Sequence, residues 1–319
     1  MKSLKKKVLI TGGLGYLGGR LAASLNENKN ISIRLSARNR TKAVPKWTQG
    51  LEIIKFDFEE SDNHKALCEN IDVIIHLAAL NAKDSLSSPK RAKAINVGGT
   101  EKLVRAAVMA GVTRFIYVST THVYGANLHG LIDETQKPKP SNPYAETHFQ
   151  AEQIVANETG IDGVILRLSN VVGPPSDPNA NCWSLIANDL CRAAITSKKL
   201  ELSGSGQDFR DFICMTDVLR IILSIVNIDP RKLLYQHYNV ASGHSISTLT
   251  LAKKIAERAE AMFGQKLVIL NKKTADSQGH HNPIFSNLRL KGLGYSMFRG
   301  IIGELDSTLK FCSEVFSAE

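Results

Sequence analysis

The feature that most constrains this chain is a run of glycines directly after its first apolar segment. The stretch reads VLITGGLGYLGG, in which Gly12, Gly15 and Gly18 are three residues apart. A sharp strand-to-helix turn, a close backbone approach to a phosphate and close helix packing each need a residue without a side chain. The helix that follows, starting at Tyr16 and Leu17, offers N–H groups and a favourable dipole to an anion. The stretch therefore predicts a dinucleotide-binding turn between a strand and a helix.

The N-terminal half of the chain alternates strand-like with helix-like segments. The strand-like segments are KVLIT, ISIRLSA, LEIIKFDF, DVIIHLAA, RFIYVST and GVILRLSN. Strands that are apolar along their whole length and alternate with helices are typical of a parallel sheet covered on both faces. We therefore expect an α/β fold with a Rossmann-type, doubly wound parallel sheet.

The character of the sequence changes at the Pro- and Asn-rich stretch VVGPPSDPNAN. Such composition is typical of a domain exit, and helix-like segments outnumber strands beyond it. We expect a dinucleotide-binding domain over 1–172 and a smaller, discontinuous C-terminal substrate domain from 173–206 and 243–319. RDFICMTDV and YQHYNVAS are predicted to return to the first domain, near 207–222 and 236–242.

The formal net charge of +10 suits nucleic acid, an anionic membrane or a phosphorylated small molecule. The basic residues are spread along the chain apart from KSLKKK at its start, so we expect neither nucleic acid nor a membrane as partner. The apolar run after KSLKKK is too short for a signal peptide, and no run is long enough to span a membrane. Five cysteines without metal-ligand spacing favour reduced thiols, no metal site and a cytoplasmic location.

The end of the second strand bears on which dinucleotide is bound. In NAD-specific domains of this kind an acidic residue there holds the ribose 2′-OH. This strand ends in RLSARNR, with Ser36 and Ala37 at that point and Arg38 and Arg40 just beyond. A guanidinium suits a 2′-phosphate. The sequence predicts NADP(H) as the preferred cofactor with NAD(H) possible, and two solvated loop arginines are the alternative.

A second part of the cofactor site is expected after the third strand, in FDFEE. Asp57 is predicted to accept a hydrogen bond from the adenine amino group, with Phe58 beside the ring. Both follow the carboxyl end of a strand, where ligands of such sheets bind.

A further helix is predicted from Pro143, a residue favoured at the first helical position. Tyr144 and His148 are four residues apart and therefore share one face of this helix. They are either ordinary packing residues or a proton-transfer pair.

These motifs together resemble the extended short-chain dehydrogenases/reductases of the nucleotide-sugar epimerase/dehydratase family. The resemblance covers nearly the whole chain and rests on TGGLGYLG, HLAA, NVGGT, VSTTHVYG, PYAETH, RLSNVVGP, RDFICMTDV and YNVAS. It implies hydride transfer between NAD(P) and a carbon of a nucleotide sugar. It also implies a homodimer formed by the helices at 97–110 and 144–158.

The resemblance assigns roles to single residues. Thr120 matches the catalytic Ser/Thr that hydrogen-bonds the reacting oxygen, and Tyr144 matches the tyrosine that exchanges a proton there. The backbone of Ala78 and Ala79, together with Asn96, would lie along the cofactor. The residues that match substrate-binding positions are Asn170 and Arg210, at the diphosphate, and Arg289, in the smaller domain.

The first departure from the family is His148, which replaces the lysine of the YxxxK pattern. That lysine holds the nicotinamide ribose, and its charge lowers the pKa of the tyrosine. An imidazole loses its charge above a reference pKa of about 6.5. We expect His148 to be a weak, pH-limited substitute for lysine, so that turnover peaks at a lower pH. A degenerate site that still binds dinucleotide is the alternative.

The second departure follows Thr120. The 4,6-dehydratases of the family carry an Asp-Glu pair there, whereas this chain has Thr121 and His122. Neither residue is a carboxylate, so dehydration is disfavoured. His122 either takes part in proton transfer or is a half-buried, hydrogen-bonded histidine.

The preferred interpretation is a nucleotide-sugar epimerase or 4-keto-sugar reductase. One alternative is a reductase of a hydroxysteroid-like or small carbonyl substrate, which the expected diphosphate contacts disfavour. The other is a non-catalytic dinucleotide-binding protein, supported only by the missing lysine.

Overall fold

The structure is a computed structural model that describes residues 5–38, 45–271, 282–295 and 299–317. Its strands are β1 (Lys6–Thr11), β2 (Ile31–Ala37), β3 (Glu52–Lys55), β4 (Val73–His76), β5 (Arg114–Thr120), β6 (Gly130–Ile132), β7 (Asp162–Leu168), β8 (Asn170–Val172), β9 (Lys199–Leu202), β10 (Phe209–Cys214), β11 (His237–Val240), β12 (Ser245–Ser247), β13 (Val268–Asn271) and β14 (Pro283–Phe285).

The helices are α1 (Tyr16–Asn26), α2 (His64–Cys68), α3 (Ala82–Ser87), α4 (Pro89–Ala92), α5 (Thr100–Met109), α6 (Pro143–Asn157), α7 (Ile186–Thr196), α8 (Met215–Asn227), α9 (Thr248–Phe263), α10 (Leu288–Gly292) and α11 (Ile302–Phe316). Short 3₁₀ helices cover Lys46–Thr48, Thr121–Tyr124 and Pro230–Lys232, and a π-helical segment covers Lys93–Gly99. Within the described ranges, no helix has both the length and the apolar content needed to cross a membrane.

A seven-stranded sheet in the order β11-β7-β5-β4-β1-β2-β3 forms the centre of the fold. The pairs β1–β2, β1–β4, β2–β3, β4–β5 and β5–β7 are parallel. Strand β4 is buried at every residue and β1 from Val8 onward, as expected of strands covered on both faces. The predicted Rossmann-type α/β fold is confirmed.

The chain divides into two compact units. The first comprises Met1–Ala126, Thr135–Leu168 and Ile221–Tyr238, and the second comprises Asn127–Glu134, Ser169–Arg220 and Asn239–Glu319, within the described residues. The core of the first unit includes Leu9, Phe115, Tyr117, Ile165 and Val155. The core of the second includes Leu190, Leu251 and Leu305, from α7, α9 and α11.

One of the two predicted returns to the central sheet is wrong. The RDFIC part of RDFICMTDV lies in β10, which pairs with β8 and β12 in a separate three-stranded sheet. The chain re-enters the first unit at Ile221, inside α8. The apolar run of β10 is buried in either arrangement, so its composition does not identify the sheet that it joins. Strand β11, from YQHYNVAS, is an edge strand of the seven-stranded sheet.

Candidate functional site

The glycine turn after β1 is packed too closely to accept side chains. Gly12 has a left-handed φ of +64°, and a Cβ atom there would lie 3.2 Å from the backbone nitrogen of Ala78. A Cβ atom on Gly15 would lie 3.1 Å from the carbonyl oxygen of Gly12, and one on Gly18 would overlap that oxygen. Helix α1 then begins at Tyr16 without a side-chain cap. This turn therefore forms a cradle in which the backbone can approach a ligand closely, and it ends at an uncapped helix N-terminus. Both features suit a pyrophosphate.

A chain of hydrogen bonds closes this turn against β4, and sequence analysis did not find it. Thr11 Oγ1 accepts from the backbone N–H groups of Leu77 (3.0 Å) and Ala78 (3.1 Å), so its hydroxyl hydrogen goes to His76 Nδ1 at 2.7 Å. His76 Nε2 then donates to Thr100 Oγ1 at 3.0 Å. Burial lowers the pKa of His76 to about 3, so this imidazole is neutral at pH 7.

The end of β2 carries an unsatisfied polar atom. Ser36 is 1% exposed, and its hydroxyl has no hydrogen-bond partner among the residues that the structure describes. Arg38 is exposed just beyond it, whereas Arg40 lies outside the described residues. Ser36 therefore stands, uncharged, where an NAD-specific domain has its acidic residue.

The residues predicted for the adenine end of the cofactor differ in exposure. Asp57 is half-buried, and its carboxylate accepts a hydrogen bond from Glu59 N at 2.9 Å. Phe58 is buried against Gly99, where a Cβ atom would lie 3.0 Å from the phenyl ring. Ala79 is exposed and lies next to the half-buried Ala78.

Asn96 occupies the π-helical segment and joins two parts of the first unit. Its Oδ1 accepts from the backbone N–H of Leu80 at 2.8 Å, and its Nδ2 donates to Thr147 Oγ1 on α6 at 3.0 Å. Its backbone carbonyl accepts from Thr100 Oγ1 at 2.6 Å. Asn96 therefore fixes the backbone that follows Ala78 and Ala79.

Thr120 and Tyr144, predicted from separate motifs, are brought into contact. Thr120 ends β5, and Tyr144 lies in the first turn of α6, where Pro143 is the first residue and Asn142 caps the helix by accepting from Ala145 N at 3.0 Å. The two hydroxyl groups are hydrogen-bonded. Burial raises the pKa of Tyr144, and the bond to Thr120 offsets part of that rise. The phenol is therefore protonated at neutral pH.

His148 lies one helical turn after Tyr144, and their ring centroids are 4.5 Å apart in edge-to-face geometry. Its Nδ1 is 2.8 Å from the Tyr117 hydroxyl, while its buried Nε2 has no hydrogen-bond partner among the described residues. Burial, and to a lesser extent His122, lower the pKa of His148 to about 4. The expectation of a partly charged imidazolium near neutral pH is therefore wrong, because a side chain that is 5% exposed cannot be hydrated when protonated.

Thr121 is buried and His122 is exposed, so the alternative of a half-buried histidine is also wrong. The His122 ring centroid lies 6.1 Å from that of Tyr144. Neither side chain provides a carboxylate at this position.

A buried ion pair lies one turn further along α6, and sequence analysis did not single it out. Arg167 Nη2 contacts Glu152 Oε2 at 2.6 Å, and the two side chains are 3% and 0% exposed. Ser119 Oγ also donates to Glu152, at 2.6 Å. The guanidinium lies over the ring of Tyr124, 4.8 Å from its centroid.

Tyr117 was also missed, although the sequence contains a signal for it. In RFIYVST the alternation of β5 places Tyr117 on the same side as Ser119. Two residues along a strand advance about 6.6 Å, and four along a helix advance about 6 Å. Tyr117 and Ser119 therefore match His148 and Glu152 as consecutive contacts between β5 and α6.

The three predicted substrate-binding residues lie in the second unit, on different elements. Asn170, on β8, donates to the backbone oxygen of Asp211 at 2.9 Å. Arg210 is exposed on β10. Arg289, on α10, has its Nε 3.6 Å from Glu134 Oε2.

A parallel, doubly wound sheet with a glycine turn after its first strand is the fold class of dinucleotide-binding proteins. The NAD dependent epimerase/dehydratase family model matches residues 8–241, and the chain belongs to this family. The family predicted from the motifs is thereby confirmed.

Relatives of this chain within the family are named for different activities. A dTDP-D-glucose 4,6-dehydratase of Mus musculus is 31% identical over 271 residues, which cover 80% of this chain and 73% of that protein. A UDP-N-acetylglucosamine 4-epimerase from Methanobrevibacter ruminantium M1, in complex with UDP-N-acetylmuramic acid, has a TM-score of 0.83 at 23% identity and covers 98% of this chain and 100% of its own. A UDP-glucuronic acid 4-epimerase from Bacillus cereus, in complex with NAD, has a TM-score of 0.80 at 21% identity and covers 98% of each chain.

Proposed function

We propose that this protein is an NADP(H)-dependent reductase of a 4-keto nucleotide sugar, with epimerisation of a nucleotide sugar as the second candidate. The observation that carries the proposal is the protonated Tyr144 hydroxyl, hydrogen-bonded to Thr120 and next to a neutral His148. Reduction of a carbonyl needs a proton donor at the oxygen, whereas oxidation of an alcohol needs a base. Without a lysine cation beside it, the phenol is better suited to donate a proton than to accept one.

The residues of the first unit fit a nicotinamide dinucleotide. The close-approach cradle of Gly12, Gly15 and Gly18, followed by the uncapped N-terminus of α1, would hold the pyrophosphate. Arg38 would contact the 2′-phosphate, and the unpartnered Nε2 of His148 would face the nicotinamide ribose. The remaining cofactor contacts that we propose come from Tyr16, Leu17, Asp57, Phe58, Ala78, Ala79 and Asn96.

In the proposed reaction the bound cofactor supplies a hydride to the carbonyl carbon of the sugar. Tyr144 donates its phenolic proton to the carbonyl oxygen, and Thr120 hydrogen-bonds that oxygen. A proton donor positioned in this way contributes about 10²–10⁴-fold to the rate.

The substrate class is proposed from the relatives and from the basic side chains of the second unit. The relatives named above act on or bind dTDP and UDP sugars according to their names. We propose that Asn170, Arg210 and Arg289 contact the diphosphate of such a substrate, since guanidinium groups pair well with phosphate.

Dehydration is not part of the proposal, although the mouse relative is named a 4,6-dehydratase. Elimination of water across two sugar carbons needs an acid and a base, and Thr121 with the exposed His122 does not supply a carboxylate pair. Incubation with dTDP-glucose should give no 4-keto-6-deoxy product, and its formation at a typical enzymatic rate would overturn this assignment.

The preference for NADP(H) is tested by Arg38→Ala. A charge-assisted hydrogen bond is worth about 1.5–3 kcal/mol, so the variant should bind NADPH about ten- to a hundred-fold more weakly and NADH unchanged. Fluorescence titration of both cofactors measures this. Equal losses for both, or tighter NADH binding by the wild type, would contradict the preference.

We further propose a homodimer and a cytoplasmic location. The dimer is supported by the resemblance and by Met109, which is 84% exposed at the end of α5. A monomeric mass by light scattering at micromolar concentration would contradict it.

The location is supported by five buried cysteines that are all unpaired.

The decisive assay follows NADPH oxidation with a panel of dTDP- and UDP-4-keto sugars, and the reverse reaction with the corresponding alcohols. The proposal expects reduction to exceed oxidation at pH 7. Interconversion of C4 epimers without net cofactor turnover would favour the epimerase. NADPH binding with no turnover on any substrate would favour a non-catalytic dinucleotide-binding protein.

A further inference from the structure

The hydrogen bond between Tyr117 and His148 determines which imidazole nitrogen carries the hydrogen. The Tyr117 hydroxyl lies 2.8 Å from Nδ1, and the two side chains are 2% and 5% exposed. A phenol is a much stronger acid than a neutral imidazole N–H, and an imidazole nitrogen is a much better base than a phenol oxygen. Tyr117 is therefore the donor and Nδ1 the acceptor, which leaves the imidazole hydrogen on Nε2.

No other described side chain competes for the Tyr117 hydroxyl from the neighbouring strand. His76 pairs with Tyr117 across β4 and β5, and their ring centroids are 5.8 Å apart. Both nitrogens of His76 are already bonded, to Thr11 and to Thr100. The Tyr117 hydroxyl is thus directed to His148.

The resulting Nε2–H group is buried and has no hydrogen-bond partner among the described residues. A buried donor without an acceptor in the protein costs free energy, which a hydrogen bond to a bound ligand would recover. His148 lies one helical turn after Tyr144, where the family has the lysine that holds the nicotinamide ribose.

We propose that Tyr117 is a positioning residue that holds His148 in the Nε2–H tautomer and in one ring orientation, so that Nε2–H donates to a ribose hydroxyl of the nicotinamide cofactor. Two uncharged residues would thus take the place of the lysine in this chain. Tyr117 on β5 donates to His148 on α6, and His148 donates to the ribose. The identity of the ligand rests on the proposed function, whereas the tautomer does not.

The tautomer can be measured in the cofactor-free full-length protein by long-range ¹H–¹⁵N correlation NMR with ¹⁵N-labelled histidine. The His148 signals are identified by their loss in His148→Gln. We expect Nδ1 to resonate as a bare, hydrogen-bonded acceptor and Nε2 as a protonated nitrogen. The opposite pattern, with Nδ1 protonated, would overturn the proposal without any variant of Tyr117.

Tyr117→Phe removes the donor while keeping the ring, and Tyr238→Phe is the matched control, since Tyr238 is also fully buried in the first unit. Tyr117→Phe should move both His148 nitrogens towards values averaged over the two tautomers and weaken NADPH binding about three- to tenfold, the range of one ordinary hydrogen bond. Tyr238→Phe should change neither. An unchanged His148 spectrum in Tyr117→Phe would contradict the positioning role.

Titration with NADPH separates this proposal from the proposed function. NADPH should shift the Nε2–H signal of the wild type, whether or not any sugar is reduced. NADPH that binds by fluorescence but leaves Nε2–H unshifted would overturn the ribose contact alone. Failure of every sugar substrate, with the expected tautomer and shift present, would reject the reductase and leave the role of Tyr117 standing.

Discussion

His148 and Glu152 lie four residues apart on the same face of α6 and are both almost completely buried, yet they are accommodated in opposite ways. Glu152 accepts hydrogen bonds from Ser119 and, in bidentate fashion, from Arg167. His148 has one partner, Tyr117, and keeps one nitrogen unsatisfied. Both carboxylate oxygens of Glu152 therefore have partners within the protein, whereas one of the two ring nitrogens of His148 does not.

Under the proposed cofactor contact of His148, the difference separates a structural contact from a binding one. Burying a carboxylate is tolerable only when its oxygens are hydrogen-bonded, and both oxygens of Glu152 are, although Arg167 Nη1 has no partner among the described residues. A neutral imidazole costs much less to bury than a charge, so the protein can leave one of its atoms for a ligand. On the buried face of α6, the turn that contains Tyr144 and His148 is therefore uncharged, whereas the next turn carries the carboxylate of Glu152.

The largest effect on catalysis is expected from Tyr144→Phe, which removes the proton donor from the uncharged turn. Reduction of the 4-keto sugar should slow by about 10²–10⁴-fold, the usual contribution of a positioned general acid. NADPH affinity should change little, because the hydroxyl is assigned to the reacting oxygen. Single-turnover rates at saturating NADPH measure the effect, and a loss of less than tenfold would place the proton donor elsewhere.

A comparably large effect, on stability, is expected from Arg167→Met in the charged turn. The substitution leaves Glu152 buried without its ion-pair partner, which should lower the free energy of unfolding by about 3–5 kcal/mol. Urea denaturation measures this. The double variant Glu152→Leu with Arg167→Met should recover much of the loss. Ser119→Ala, which removes one hydrogen bond to the carboxylate, should cost about 1.5–3 kcal/mol. A cost for Arg167→Met no greater than that of Ser119→Ala would remove the contrast between the two turns.

The third predicted effect is a loss of folding stability at acidic pH. The folded-state pKa of His148 is lowered from 6.5 to about 4, so on acidification the unfolded chain binds its proton first. The stability contribution is complete above about pH 6.5 and is lost as the pH falls towards 4, by about 3 kcal/mol for a shift of this size. His64 and His76 have lowered pKa values as well, so His148→Gln should make the loss smaller without abolishing it. Identical stability–pH curves for the two proteins would show that the pKa of His148 is the same in the folded and unfolded states.

The smallest effect, about tenfold, is expected from His148→Lys, which introduces a charge into the uncharged turn. An ammonium group beside Tyr144 should lower the pKa of the phenol and favour its action as a base. The pH midpoint for oxidation of the alcohol should therefore fall by about one unit, the equivalent of tenfold, while the neutral His148→Gln should leave it as in the wild type. An unchanged midpoint in His148→Lys would mean that charge at this position does not control the protonation of Tyr144.

Much of the fold and of the site chemistry could be predicted from local patterns. The apolar runs of β1 and β4 and the glycine spacing of residues 12 to 18 are properties of short segments. The contact between Thr120 and Tyr144 followed from a family resemblance and agrees with the geometry. The proposed roles of these residues stay predictions until they are tested.

The remaining features depend on contacts that are distant in sequence. The neutrality of His148 comes from burial beneath other elements, which the helical spacing of Tyr144 and His148 does not reveal. Strand β10 joins a second sheet because its partners, β8 and β12, lie elsewhere in the chain. The Tyr117 hydroxyl was overlooked because a tyrosine in an apolar strand is usually a packing residue.

The π-helical segment Lys93–Gly99 makes the site sensitive to chain length as well as to side-chain identity. A Cβ atom at Gly98 would meet nothing within 4 Å, so a substitution there has room. Removing one residue from the wide turn would let it relax to an α-helix and rotate Asn96 by about 100° relative to Thr100. Asn96 would then lose its hydrogen bonds with Leu80 and Thr147, while Thr100 would keep its hydrogen bond with His76. Gly98 should therefore accept a substitution, whereas the stretch should accept no single-residue deletion, and Asn96 and Gly99 are restricted by their own contacts.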